Sequence, residues 1–126
     1  MALDLKEIPY LSLNAVKKGD KEAWLALYED DATVEDPVGG HPHFDPDGKG
    51  QRGKEDIGKF FDLFMTNRES FEYEVHFLSV NGDEVALLVT MTSKYPGMPA
   101  IPTKAVNVYK RSKNGKVQSL RSFWTQ

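Results

Sequence analysis

The stretch Phe71-Glu72-Tyr73-Glu74-Val75-His76-Phe77-Leu78-Ser79-Val80-Asn81-Gly82-Asp83-Glu84-Val85-Ala86-Leu87-Leu88-Val89-Thr90-Met91 decides the fold class. Phe71, Tyr73, Val75 and Phe77 recur at every second position, the period of a strand with one buried face. Asn81-Gly82-Asp83 then supplies hairpin-turn residues, and Val85, Leu87, Val89 and Met91 resume the alternation. Two long antiparallel strands are predicted. Further on, Pro96 to Pro102 reads as a loop. Strands near Thr103–Arg111 and Lys116–Trp124 flank a second turn, Lys113-Asn114-Gly115.

Upstream the period is helical. A first helix is predicted from about Pro9 to Lys18, with Pro9 in its first turn and Gly19 as its stop. Asp20 can cap a second helix carrying Trp24, Leu25, Leu27 and Tyr28. A short strand ends at Asp36, and a polar loop runs from Pro37 to Gly53. A third helix presents Ile57, Phe60, Phe61 and Phe64 at i, i+3, i+4, i+7. Helices first and strands afterwards indicate one α+β domain over residues 1–126. Three N-terminal helices pack on one face of a strongly curved, mostly antiparallel sheet that can enclose a pocket.

Composition narrows the function. With 126 residues, 40% hydrophobic and 11% aromatic, the chain can bury one sizeable core. A formal net charge of −3 gives no electrostatic case for nucleic acid or an anionic membrane. No cysteine is present, which excludes disulfides and thiolate metal sites. Met1 to Glu7 alternates apolar with charged residues and has no signal-peptide core, so a cytoplasmic protein is expected.

Within Tyr28-Glu29-Asp30-Asp31-Ala32-Thr33-Val34-Glu35-Asp36-Pro37-Val38-Gly39, strand alternation points Asp36 to the same side as Ala32 and Val34. A carboxylate on the core-facing side is costly unless it is paired or used. Asp before Pro also suits a turn, so the residues alone leave both roles open. His41 and His43 with Asp45 and Asp47 bring no defined third metal ligand. Read as a calcium loop from Asp45, the stretch places Lys49 where an oxygen ligand belongs. No metal and no cofactor are expected, and Asp45-Pro46-Asp47-Gly48 reads as a turn.

Gly19-Asp20-Lys21-Glu22-Ala23, the Tyr28–Gly39 segment, Gly53-Lys54-Glu55-Asp56-Ile57 and Ser122-Phe123-Trp124 together resemble the ketosteroid (steroid delta-5-3-keto) isomerases. They also resemble the wider SnoaL-like, nuclear-transport-factor-2-like superfamily of cone-shaped α+β domains. The resemblance covers nearly the whole chain in order, and its specific part is Val34-Glu35-Asp36-Pro37. It implies that Asp36 is a base that moves a proton beside a ketone. The family's helix-borne tyrosine falls on Ser12 and its second enolate donor on Asn107. Tyr28 retains a supporting tyrosine, Phe61 replaces another, and Trp124 matches a pocket tryptophan. The expected pocket is lined by Tyr28, Val34, Phe60, Phe61, Val89 and Trp124.

Two departures follow. Ser12 is far shorter than a tyrosine, whereas Asn107 can still donate through its amide. Losing one such donor typically costs about 2.7–4 kcal/mol. The resemblance thus implies a small apolar, steroid-like or other carbonyl ligand, a homodimer, and weak allylic proton transfer. The alternatives are a hydrolase or cyclase of the superfamily and a non-catalytic binding domain. The loop from Gly40 to Arg52 is longer than in the family's well-known members, so a different pocket mouth is expected.

Overall fold

The computed structural model describes residues 2–125. Three helices, α1 (Ile8–Lys18), α2 (Lys21–Ala26) and α3 (Gly53–Met65), pack on one sheet of six strands. The strands are β1 (Tyr28–Glu35), β2 (Gln51–Arg52), β3 (Ser70–Asn81), β4 (Glu84–Lys94), β5 (Ile101–Arg111) and β6 (Val117–Trp124). Their order is β2-β1-β6-β5-β4-β3, curled over the helices, with β1 and β6 parallel and every other pair antiparallel. No helix among the described residues is long and apolar enough to cross a membrane.

Local chemistry places the elements. Gly19 adopts a left-handed φ of 69° and its N–H closes onto the last turn of α1. Asp20 accepts a bond from Ala23 N and starts α2. Ile57, Phe60 and Phe61 bury the inner face of α3 against the sheet. Val85, Leu87 and Val89 of β4 and Ala105, Asn107 and Tyr109 of β5 point inward. All these elements form where the patterns place them.

Three local expectations are corrected. The second helix stops at Ala26, and Tyr28 already opens an eight-residue β1. That strand is drawn out by its parallel pairing with β6, a contact too distant in sequence to read. The polar loop ends in β2, which pairs Gln51 and Arg52 with Val34 and Thr33. Finally, an irregularity in the β3–β4 register between Val75 and Phe77 breaks the alternation. It turns Phe77 to the outer face, where it is 66% exposed.

Candidate active site

Asp36 lies just past the end of β1, where the chain leaves the sheet at Pro37. Ala32 and Val34 are fully buried, and Asp36 continues that inward side. Its Oδ1 accepts the Trp124 indole N–H at 2.8 Å, and the same N–H leans toward Ser122 Oγ at 3.1 Å. The Ser122 hydroxyl in turn donates to Asn107 Oδ1 at 2.5 Å. Sheet geometry brings these groups together. Ser122 and Trp124 share one face of β6 at a spacing of two, and Asn107 is the register partner of Ser122 on β5.

Opposite them, α1 presents Ser12, which is only 2% exposed. Its Oγ accepts the Trp24 indole N–H from α2 and the Tyr109 hydroxyl from β5, each at 3.1 Å. A serine oxygen has two acceptor sites, so both are occupied and only the serine's own proton remains to be offered. Asn107 is arranged alike. Its carbonyl oxygen is taken by Ser122, so the amide N–H groups are what Asn107 can offer to the cavity it lines. Tyr28 is fully buried, and its hydroxyl has no hydrogen-bond partner among the described residues. Ser12 lies nearby without reaching hydrogen-bond geometry.

Between these groups sits a cavity of about 30 Å³. A water needs about 10–15 Å³ of such space, so one or two waters fit. Ser12, Asp36, Asn107 and Tyr109 supply its polar wall; Phe60, Phe61, Phe64, Phe71 and Met91 are among the apolar remainder. Asp36 is half-buried and lines this cavity. Burial raises its pKa above the ordinary 3.8, and the Trp124 and Ser122 hydrogen bonds oppose the rise. Burial likewise pushes the Tyr28 and Tyr109 phenols up, so both stay protonated donors.

Of the expected lining, Phe60 and Phe61 face the cavity, whereas Tyr28, Val34, Val89 and Trp124 do not. Val34 and Val89 are sealed in the core. Their places are taken by Leu120, the partner of Val34 on β6, and by Met91, two residues further along β4. Tyr28 sits behind Trp24, ring against ring at 4.9 Å. Trp124 borders a neighbouring cleft and reaches the site only through its N–H. Tyr109 and Ser122 were missed. Their strand alternation marks them as inward, but only the three-dimensional pairing shows what they touch. Among the described residues, no three His, Asp or Glu side chains gather as a metal-binding group. His41 Nδ1 instead accepts the backbone N–H groups of His43 and Phe44.

Residues 11–120 match the SnoaL-like domain family. A Mycobacterium tuberculosis protein crystallised with estradiol-17β-hemisuccinate is similar at 30% identity and a TM-score of 0.84, covering 96% of this chain and 93% of that one. The Δ5-3-ketosteroid isomerase of a Mycobacterium species is similar at 28% identity and a TM-score of 0.85, covering 96% and 92%. An epoxide hydrolase/cyclase-like enzyme of pyran ring formation in the polyether salinomycin follows at 26% and 0.78, covering 96% and 90%.

Proposed function

The chain belongs to the SnoaL-like family of the nuclear-transport-factor-2-like superfamily, and from that premise we propose that it binds a small carbonyl compound and moves a proton within it. One observation carries this reading: two donors, Ser12 O–H and Asn107 N–H, share a cavity with a carboxylate that offers only acceptors. A carbonyl oxygen suits the first and an acidic C–H beside that carbonyl suits the second. Asp36 takes the proton from that carbon, the electron pair moves onto oxygen as an enolate, and Ser12 and Asn107 hydrogen-bond the developing charge. Protonated Asp36 then returns the proton two carbons away, which shifts the double bond. A raised pKa favours a base that must also give its proton back.

The similarity to a ketosteroid isomerase and to an estradiol-derivative complex supports an apolar, steroid-like ligand. A 5-ene-3-ketosteroid should be converted slowly to its conjugated 4-ene isomer, followed by ultraviolet absorbance. Asp36→Asn should abolish the conversion, since an amide cannot take the proton. No turnover by the parent protein on this and simpler enolisable ketones would sink the reading. Ser12→Tyr should not strengthen the site. The Tyr109 hydroxyl and the Trp24 indole already fill the space at Ser12.

The size of the cavity favours a second reading, in which Asp36 deprotonates a water held there and the water opens an epoxide whose oxygen meets these donors. The similarity to the hydrolase/cyclase-like enzyme supports it. Incorporation of labelled oxygen from water into product separates the two, because allylic proton transfer incorporates none. For assembly we propose a homodimer through the outer face of the sheet. Phe77, Leu88, Val106 and Phe123 lie in register there as one apolar row.

A further inference from the structure

In the segment between β1 and β2, the backbone N–H groups of His43 and Phe44 both point at His41 Nδ1, at 3.0 and 3.3 Å. A backbone N–H can only donate, so this nitrogen accepts. It carries no proton, and the single proton of the ring sits on Nε2. The loop thus selects one neutral tautomer. His76 on β3 differs, because its ring faces the Thr90 hydroxyl, which can serve either tautomer or the charged ring.

This loop reaches the site through its rings. His41 and Asp45 exchange backbone hydrogen bonds at 3.0 and 2.9 Å, which fixes Phe44 between them. The Phe44 ring lies 4.7 Å from the His41 ring and meets Phe60 at 6.2 Å and Phe64 at 5.6 Å, both on the wall of the inner cavity. His41 also meets the Trp124 ring at 5.6 Å, and the Trp124 N–H holds Asp36. The titratable groups around His41 are His43 and Asp45 on the loop, Tyr95 just past β4, and Asp36 beyond Trp124. Asp45 spends a carboxylate oxygen on Gly50 N at 2.9 Å. Among the described residues, none forms an ion pair with the His41 ring.

We propose that His41 is a pH switch for this loop: a neutral ring holds it closed, and protonation of the ring releases it, so that acid loosens the Phe44 side of the cavity. Imidazole changes charge between about pH 5 and 8. With Nε2 already protonated, the second proton has only Nδ1 to bind, where it displaces the two N–H groups. The closed loop therefore binds one proton fewer than the open loop. Its stability rises with pH and is lost as pH falls. The consequence for turnover rests on the proton-transfer reading; the switch itself does not.

Amide hydrogen exchange at His43 and Phe44, compared at about pH 5 and about pH 8 and corrected for the intrinsic pH dependence of exchange, tests this. In the parent, protection of both amides should fall about fivefold or more at the lower pH, the equivalent of about 1 kcal/mol for one hydrogen bond. His41→Asn is the control, since its side-chain oxygen can accept the same N–H groups and does not titrate. Its protection should be equal at both pH values. Protection that is independent of pH in the parent, or that falls equally in His41→Asn, overturns the switch. His43→Gln should keep the parent's pH dependence, and losing it there would overturn the assignment to His41. Nitrogen NMR shifts of the His41 ring check the parent directly: a proton found on Nδ1 at the higher pH also overturns the proposal. For turnover of an enolisable ketone, the ratio of the parent's kcat/KM to that of His41→Asn should drop several-fold at the lower pH. The ratio cancels the titration of Asp36, which both proteins share, and a constant ratio overturns the coupling to the site. Absence of turnover in both sinks the proton-transfer reading, and the exchange measurement still decides the switch.

Discussion

At Asp36, burial and chemistry pull in opposite directions. Enclosure among aromatic rings disfavours the ionised carboxylate, while the Trp124 N–H holds it. The folded protein therefore keeps this proton to higher pH than the unfolded chain does. Between the ordinary value of 3.8 and the raised one, the folded state binds more protons, so stability falls as pH rises through that window. Asp36→Asn removes the titration and leaves an amide oxygen to accept the Trp124 N–H. The variant should melt above the parent near neutral pH, because the folded parent there bears the cost of ionising an enclosed carboxylate. Below about pH 4 the advantage should vanish, as the parent is then protonated too. Melting curves across pH decide it, and equal stability at neutral pH would show that the carboxylate carries no penalty. Strand alternation alone made the placement of Asp36 legible. The Tyr109 contact with Ser12 was not, since it joins residues 97 positions apart. Tyr109→Phe should cost roughly 0.5–1.5 kcal/mol of stability by unfolding in urea, the ordinary worth of one hydrogen bond, since Ser12 keeps the Trp24 N–H.

Among the elements, the segment between β1 and β2 packs Phe44 against Phe60 and Phe64 of α3. Its turn at Asp45 is visible in Asp45-Pro46-Asp47-Gly48, and Gly48 N does bond Asp45 O at 3.1 Å. The two-residue β2 is not visible, for no periodicity exists over two residues. Phe77 shows the converse: its alternation is plain, yet the β3 register irregularity sends it outward. The loop's tightness also has a local cause. Gly40 holds φ at 96°, and a Cβ there would stand 2.7 Å from both Asp45 O and Gly48 Cα. Gly40→Ala should therefore cost roughly 1–3 kcal/mol of backbone strain. The strain falls on the loop that carries Phe44, so amide hydrogen exchange at His41 and Asp45 should accelerate while β4 and β5 stay protected. Unchanged exchange at those two amides would mean that the loop does not depend on the Gly40 conformation.

Over the whole molecule, the inner face of the sheet is spent on the core and the cavity, and the outer face is left with an apolar row. Phe77 pairs with Leu88, Leu88 with Val106 and Val106 with Phe123, so the row crosses four neighbouring strands without a gap. Phe77, Val106 and Phe123 are 66%, 39% and 40% exposed, whereas their inward neighbours Asn107 and Ser122 are buried. Arg121 stacks its guanidinium over Phe123 at 5.2 Å and binds Glu35 at 2.9 Å, giving the row a polar flank. An apolar centre with a polar edge is the anatomy of a protein interface, and a two-fold axis lets the same patch serve both copies. Val106 lies inside the row and faces away from the core, so Val106→Lys should leave the fold intact. It would set two like charges into the buried face of a dimer, one from each copy, and neither would find a partner within the row. Sedimentation at micromolar concentration should show the parent at twice 14.2 kDa and Val106→Lys at the monomer mass. A parent that sediments as a monomer, or a lysine variant that remains dimeric, would place the association elsewhere or remove it.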